Sequence, residues 1–349
     1  MHIGSSQLKL LERLCNAVAV SGDEGEVRAI VLDEVRPLVD EVRVDALGNV
    51  LATRKGSGKD RLRVMLAAHM DEVGFILVAD EGGGIYRFEL VGSIDVRQLA
   101  GKPVWVGREH IPGVIGARPI HLMENEELRK KMPLDVLRID LGPGGARVKP
   151  GDRVTFATPF TRIGPSIRAK ALDDRLGVAT LIELVKHAPA NIDLLAAFTV
   201  QEEVDLRGAK VAAYALDPDL AIIVDSTPAN DLPDYYDLEN VTYNTRLDCG
   251  PAIYVADGAA LSDPRLVRFL SEVAEAEKIP YQYRQPGGVG TDAGAVQRAR
   301  EGIPSVSVSV PGRYAHTAAG LCRLEDWQNT LRLLHAALGR ITPGLLTRD

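Results

Sequence analysis

Apolar residues along this chain repeat with two periods, and the changes of period divide it into blocks. Leu8, Leu11, Leu14 and Val18 lie three or four apart, which predicts an opening helix. Ser21, with Glu24 three residues on, reads as a capping box, and Val27, Ile30, Val31 and Val35 then supply one apolar helical face. Residues 42–45 and 49–53 read as short strands joined by a turn containing Gly48. Residues 62–68, LRVMLAA, are apolar almost without a break, the mark of a strand covered on both faces. That strand runs into His69.

From about 74 to 165 the pattern shortens. Runs such as IYRFELV, KPVWVG, VLRIDLG and DRVTFAT are separated by Gly and Pro turns, as in a small barrel or sandwich, and only ENEELRKKM reads as helix. Afterwards helix and strand alternate again. A helix over 174–187 leads to strand LLAAFTV, helix GAKVAAYAL and strands LAIIV and AIYVA. Helix PRLVRFLSEVAEAEK, strand SVSVSV and a helix over 327–338 close the chain. The fold class is α/β, a central mixed sheet flanked by helices, with an inserted small β-barrel or sandwich. Residues 1–73 and 166–349 form one discontinuous domain and 74–165 the insertion. A length of 349 residues, more than one core usually serves, agrees with two domains.

Composition narrows the function. Apolar residues make up 46% and charged residues 26% of the chain, enough for a sizeable core and ordinary for a globular protein. The net charge of -7 argues against a nucleic-acid partner, because phosphates would be repelled. The start lacks a signal-peptide h-region, no run of about eighteen apolar residues exists to enter a membrane, and three sparse cysteines suggest reduced thiols and a cytoplasmic setting.

Five polar motifs fall at or just after the C-terminal ends of predicted strands, the edge where open α/β sheets hold their ligands. His69, two residues before Asp71, suits a metal ligand whose imidazole a carboxylate orients; a solvated strand end is the alternative. Asp173, in ALDDR, has two oxygens that could bridge two cations, or it could simply cap a helix. Glu202 and Glu203 repel each other beside an apolar strand unless cations are present, so one could bind metal while the other acts as general base. Asp225 ends LAIIV and His316 follows SVSVSV; singly, each would pass for a turn or surface residue. Together, two histidines and three carboxylates suffice for a dinuclear site. Without thiolate, that donor set suits zinc, cobalt or manganese. The segment from Gly288 to Ala293 fits a dinucleotide fingerprint, but no acidic residue ends a strand about twenty residues on. No nucleophile elbow or P-loop occurs.

The segments AAHMDEVGF, KALDDRLG, QEEVDLRGA, VDSTPA, GVGTDAG and PGRYAHT resemble the motifs of the tetrahedral aminopeptidases, metallopeptidase family forty-two, over nearly the whole chain. The resemblance implies a zinc-peptidase-like sheet and two divalent ions per subunit, zinc first, with cobalt or manganese as alternatives. It implies His69 on one ion, His316 on the other, Asp173 between them, and Glu203 and Asp225 completing the two sets. Glu202 would be the general base, with metal-bound water as nucleophile, and Asp71 would orient His69. It further implies short peptide substrates and a hollow homododecamer, with the insertion helping to form its contacts and govern substrate access. The chain departs from the pattern at Asp205, where glycine is common, at Thr317 and Ala318, where Ser-Pro is usual, and around Cys249. Asp205 adds a carboxylate that would favour basic N-terminal residues.

Overall fold

The long apolar runs become the middle of a large sheet. In a computed structural model, which describes residues 1–124, 132–143, 147–233, 245–284 and 288–347, the chain opens with helices α1 (Ser5–Asn16) and α2 (Gly25–Val35). Strands β1 (Glu41–Val44), β2 (Val50–Arg54) and β3 (Leu62–His69) follow. The next six are β4 (Gly74–Asp80), β5 (Ile85–Val91), β6 (Pro103–Val106), β7 (Ile111–Gly116), β8 (Arg138–Asp140) and β9 (Arg153–Phe156). After them come β10 (Thr161–Ile163), β11 (Ser166–Ala169), α3 (Leu172–Lys186), β12 (Ile192–Thr199), α4 (Arg207–Leu216) and β13 (Leu220–Pro228). The last described elements are β14 (Ala252–Tyr254), α5 (Pro264–Ala276), β15 (Gln282–Arg284), α6 (Ala293–Val296), β16 (Ser305–Arg313), β17 (Gly320–Arg323) and α7 (Leu324–Leu338).

The large sheet runs β1–β2–β12–β3–β13–β16–β17–β11–β10, with β14 and β15 attached beside β16. Its centre, β12, β3, β13 and β16, is parallel, so four C-terminal ends emerge along one edge. Alternate residues face opposite layers. Val64, Leu66 and Ala68 of β3 pack with Leu11, Leu14, Val31, Leu181 and Trp327 from the helices on one face. Met65 and Ala67 meet a thinner layer built from Ala209, Ala212, Ala213 and Val296. Each large aliphatic side chain buried there contributes about 1.5–3 kcal/mol.

Strands β4–β9 close on themselves as a barrel, in the order β4–β5–β8–β7–β6–β9. Closure removes the exposed edges that short strands would otherwise present. Its core is aromatic: Phe75 meets Phe88 and Phe156 edge to face, with centroids 5.2 Å apart in each pair. No helix among the described residues is long and apolar enough to cross a membrane.

Three expectations need correction or limits. Ser21 and Glu24 form no capping box: α2 starts at Gly25 without a side-chain cap, and Ser21 Oγ donates instead to Asp71 Oδ2 at 2.7 Å. Helix α1 stops at Asn16, with Ala17 after it in extended backbone, so Val18 lies outside it. The stretch ENEELRKKM falls almost wholly outside the described residues. In addition, β10 belongs to the large sheet, so the barrel strands end at Phe156.

Candidate metal centre

The parallel register builds this site. Thr199 of β12 pairs with His69 of β3, which brings Glu202 and Glu203, just beyond Thr199, level with Asp71. Asp225 lies on β13 two strands from β12, and His316 follows β16. Asp173 arrives from the other direction, after β11 and the left-handed residue Ala171 (φ 52°); its peptide bond to Asp174 is cis. All seven residues singled out from the sequence meet around one cavity of about 750 Å³ or directly behind it.

Asp173 occupies the middle. Its Oδ1 lies 3.2 Å from His69 Nε2 and its Oδ2 3.4 Å from His316 Nε2. Asp225 Oδ1 is 3.7 Å from His69 Nε2, and Glu203 Oε2 is 3.3 Å from His316 Nε2. Two donor sets therefore share one carboxylate. Glu202 Oε2 stands 4.0 Å from His69 Nε2. The Asp71 carboxylate accepts the backbone N–H groups of Glu202 and Glu203 at 3.0 and 3.2 Å. His69 Nδ1 is nearer to the carbonyl of Asp71 (3.2 Å) than to its carboxylate (3.5 Å). Asp71 thus holds both the imidazole and the glutamate turn.

Burial governs the charges. It raises Glu203 to about 8, opposed by His316 and reinforced by Asp173. Glu202 rises well above the carboxylate range through burial, with Asp225, Asp292 and Glu203 adding to the rise against His69. His69, which burial would push down, is instead held well above the usual value by Glu202 and by bonding to Asp173, Asp225 and Asp71. His316 likewise reaches about 9, burial being outweighed by Asp173 and Glu203. Asp173 moves down despite burial, because both histidines bond to it. Carboxylates so crowded and hidden from water call for cations. Glu203 Oε1 is buried with no hydrogen-bond partner among the described residues, an oxygen that a cation would satisfy. The donor set is hard and thiolate-free, so divalent ions fit it.

Several contributors were given no part in the metal site by the sequence reading. Asp174 groups with His69 and Asp225 at distances that would admit a metal. Its oxygens already accept the N–H groups of His69 (3.3 Å) and Gly177 (2.9 Å), and a Cβ on Gly177 would strike that carboxylate. Behind the site, Lys170 Nζ donates to both oxygens of Glu72, at 2.8 and 2.9 Å, and to Ala17 O. Arg175 reaches the carbonyls of Leu14, Met70 and Asp71 as well as Glu72. Asp292 is fully buried against Thr199 Oγ1 at 2.6 Å and pushed to about 7 by that burial. The Gly288–Gly290 turn lines the cavity, and the helix after it spans only four residues. Asp205 is exposed at the cavity wall.

The profile of the M42 glutamyl aminopeptidase family matches residues 48–333. A putative aminopeptidase of Acetivibrio thermocellus is 35% identical, over 94% of this chain and 97% of its own. An aminopeptidase structure from the archaeon Desulfurococcus kamchatkensis superposes with a TM-score of 0.91 at 33% identity, covering 97% of this chain and 96% of its own. The TET1 peptidase of Pyrococcus horikoshii, which can assemble into a tetrahedron or a large octahedral shell, gives 0.83 at 31%, over 96% and 100%. With profile and relatives spanning almost its full length, the chain belongs to the M42 family of aminopeptidases, hydrolases that act at the N-termini of peptides.

Proposed function

We propose that the chain is a dinuclear aminopeptidase in which His69, Asp173 and Asp225 hold one divalent ion and His316, Asp173 and Glu203 the other. The support is the arrangement about Asp173, whose two oxygens face two different histidines at 3.2 and 3.4 Å. Zinc is the first choice, with cobalt or manganese also suited to the donors. Bound as a pair, such ions activate water and polarise the scissile carbonyl. Glu202 does the proton work: its carboxylate takes a proton from the attacking water as the new C–O bond forms. It then passes that proton to the amine nitrogen as the C–N bond breaks. Burial raises Glu202 above the ordinary carboxylate range, the direction in which a carboxylate is tuned for proton transfer near neutral pH. Asp71 holds the glutamate turn and the His69 ring in register for that transfer.

Glu202→Ala is expected to retain both ions by elemental analysis while kcat falls by about 10²–10⁴. Wild-type turnover in that variant would remove Glu202 from the role. Free peptides are expected to be cleaved and N-acetylated ones spared; the reverse would make the enzyme a deacylase. We assign catalysis to residues 1–73 and 166–349, and give 74–165 a share in self-association and substrate access. A homododecamer that admits short peptides is the assembly we propose, set in the cytoplasm, with neither nucleic acid nor membrane as partner. Sedimentation at about twelve times the 37.7 kDa chain mass is expected, and a stable monomer would contradict it.

A further inference from the structure

We infer that the connection leaving β5, residues 92–98, is part of the second cation site, and that Gln98 is a positioning residue for His316. The inference rests on the dinuclear reading above. Three contacts carry it. His316 Nδ1 lies 2.9 Å from the carbonyl of Ser93. A carbonyl only accepts, so Nδ1 carries a proton, which leaves Nε2, facing Asp173 and Glu203, as the ring atom that would take a cation. Gln98 Nε2 donates to the carbonyl of His316 at 2.9 Å. That second bond pins a backbone in an uncommon state, since His316 has φ 55°, in the left-handed region that residues with a Cβ seldom adopt. Finally, Gly92 (φ 81°) comes down on the other ligand: a Cβ there would lie 3.5 Å from Glu203 Cβ and 2.8 Å from Val73 Cγ1.

The two ion sites are therefore held differently. His69 and Asp225 sit on β3 and β13, and their described partners all come from outside the barrel. His316 is held from the barrel side. Ile94, next to Ser93, and Leu99, next to Gln98, are both buried in the barrel core, so the connection is anchored to the barrel at both contacts. The barrel therefore meets the second ion's ligand directly, whereas it reaches the loop after β3 through Thr155 and Glu72.

Zinc binding to the holoprotein, read by chelator competition and elemental analysis, tests this in wild type, Gln98→Ala and Gln98→Glu. Glutamate keeps the length of the side chain but replaces the N–H donor with an oxygen, so it separates loss of the bond from loss of packing. Both variants are expected to hold one ion as tightly as wild type and the other about 10–100-fold more weakly. In a His69→Ala background, adding Gln98→Ala is expected to weaken the ion that remains by the same factor, about 10–100-fold. Two ions at wild-type affinity in folded variants would overturn the inference, as would equal weakening of both. A wild-type chain that binds fewer than two ions would fail the dinuclear reading itself, and this inference with it.

Discussion

Asp173 and its neighbours tie stability to pH in a way that depends on cations. Glu203 is raised from 4.5 to about 8 by burial, and His316 from 6.5 to about 9 by Asp173 and Glu203 against burial. A raised group contributes stability that is present below its unfolded value and lost as pH climbs through its folded value. Both contributions therefore decline between about pH 4.5 and 9. Asp173 is lowered, so its contribution holds throughout that window and does not offset them. The metal-free protein is expected to melt at progressively lower temperature as pH rises through this range, while zinc flattens the trend. A metal-free melting temperature that stays level, or an equal slope with zinc, would speak against charge crowding as the reason for the site. Most of these residues were readable: His69, Asp173, Glu202 and Glu203 sit in short motifs at strand ends. Asp174 was not, because its role depends on which way one side chain turns after Ala171. Ser21 misled, since a hydroxyl placed as for a cap was drawn to the buried Asp71 carboxylate.

At the level of elements, the loops after β3 and β11 are fastened together beneath the ligands. Glu72 receives Lys170 and Arg175, accepts Ala19 N–H at 3.0 Å, and accepts Thr155 Oγ1 of β9 at 2.9 Å. Lys170 and Arg175 are fully buried. Burial depresses the ammonium of Lys170, against the pull of Glu72. Removing one member of such a set leaves uncompensated charge and costs about 3–5 kcal/mol. Lys170→Met is thus expected to lose about that much stability in a urea titration. A loss below about 1 kcal/mol would mean that Arg175 alone satisfies Glu72. The sequence showed the strands this clamp joins only unevenly. The unbroken apolar run of β3 announced a central strand. Strand β11 and its neighbours β10 and β17 escaped notice because each is only three or four residues long, too short to show a period. The clamp itself had no signal, since a lysine and an arginine beside an acidic motif look like any solvated charges.

Taken whole, the molecule places a closed barrel against the edge where the parallel strands end. The change from long apolar runs to short strands broken by Gly and Pro announced a small β-barrel beside an α/β sheet. The meeting of barrel and sheet was not legible, because it runs through backbone carbonyls such as Ser93 O and through single side chains such as Gln98. No periodicity encodes such contacts. The account stands on two cations sharing the Asp173 carboxylate. Anomalous diffraction at the zinc edge from zinc-loaded crystals examines that most directly. Two peaks are expected, one among His69, Asp173 and Asp225 and one among His316, Asp173 and Glu203. A single peak, or peaks away from Asp173, would contradict it.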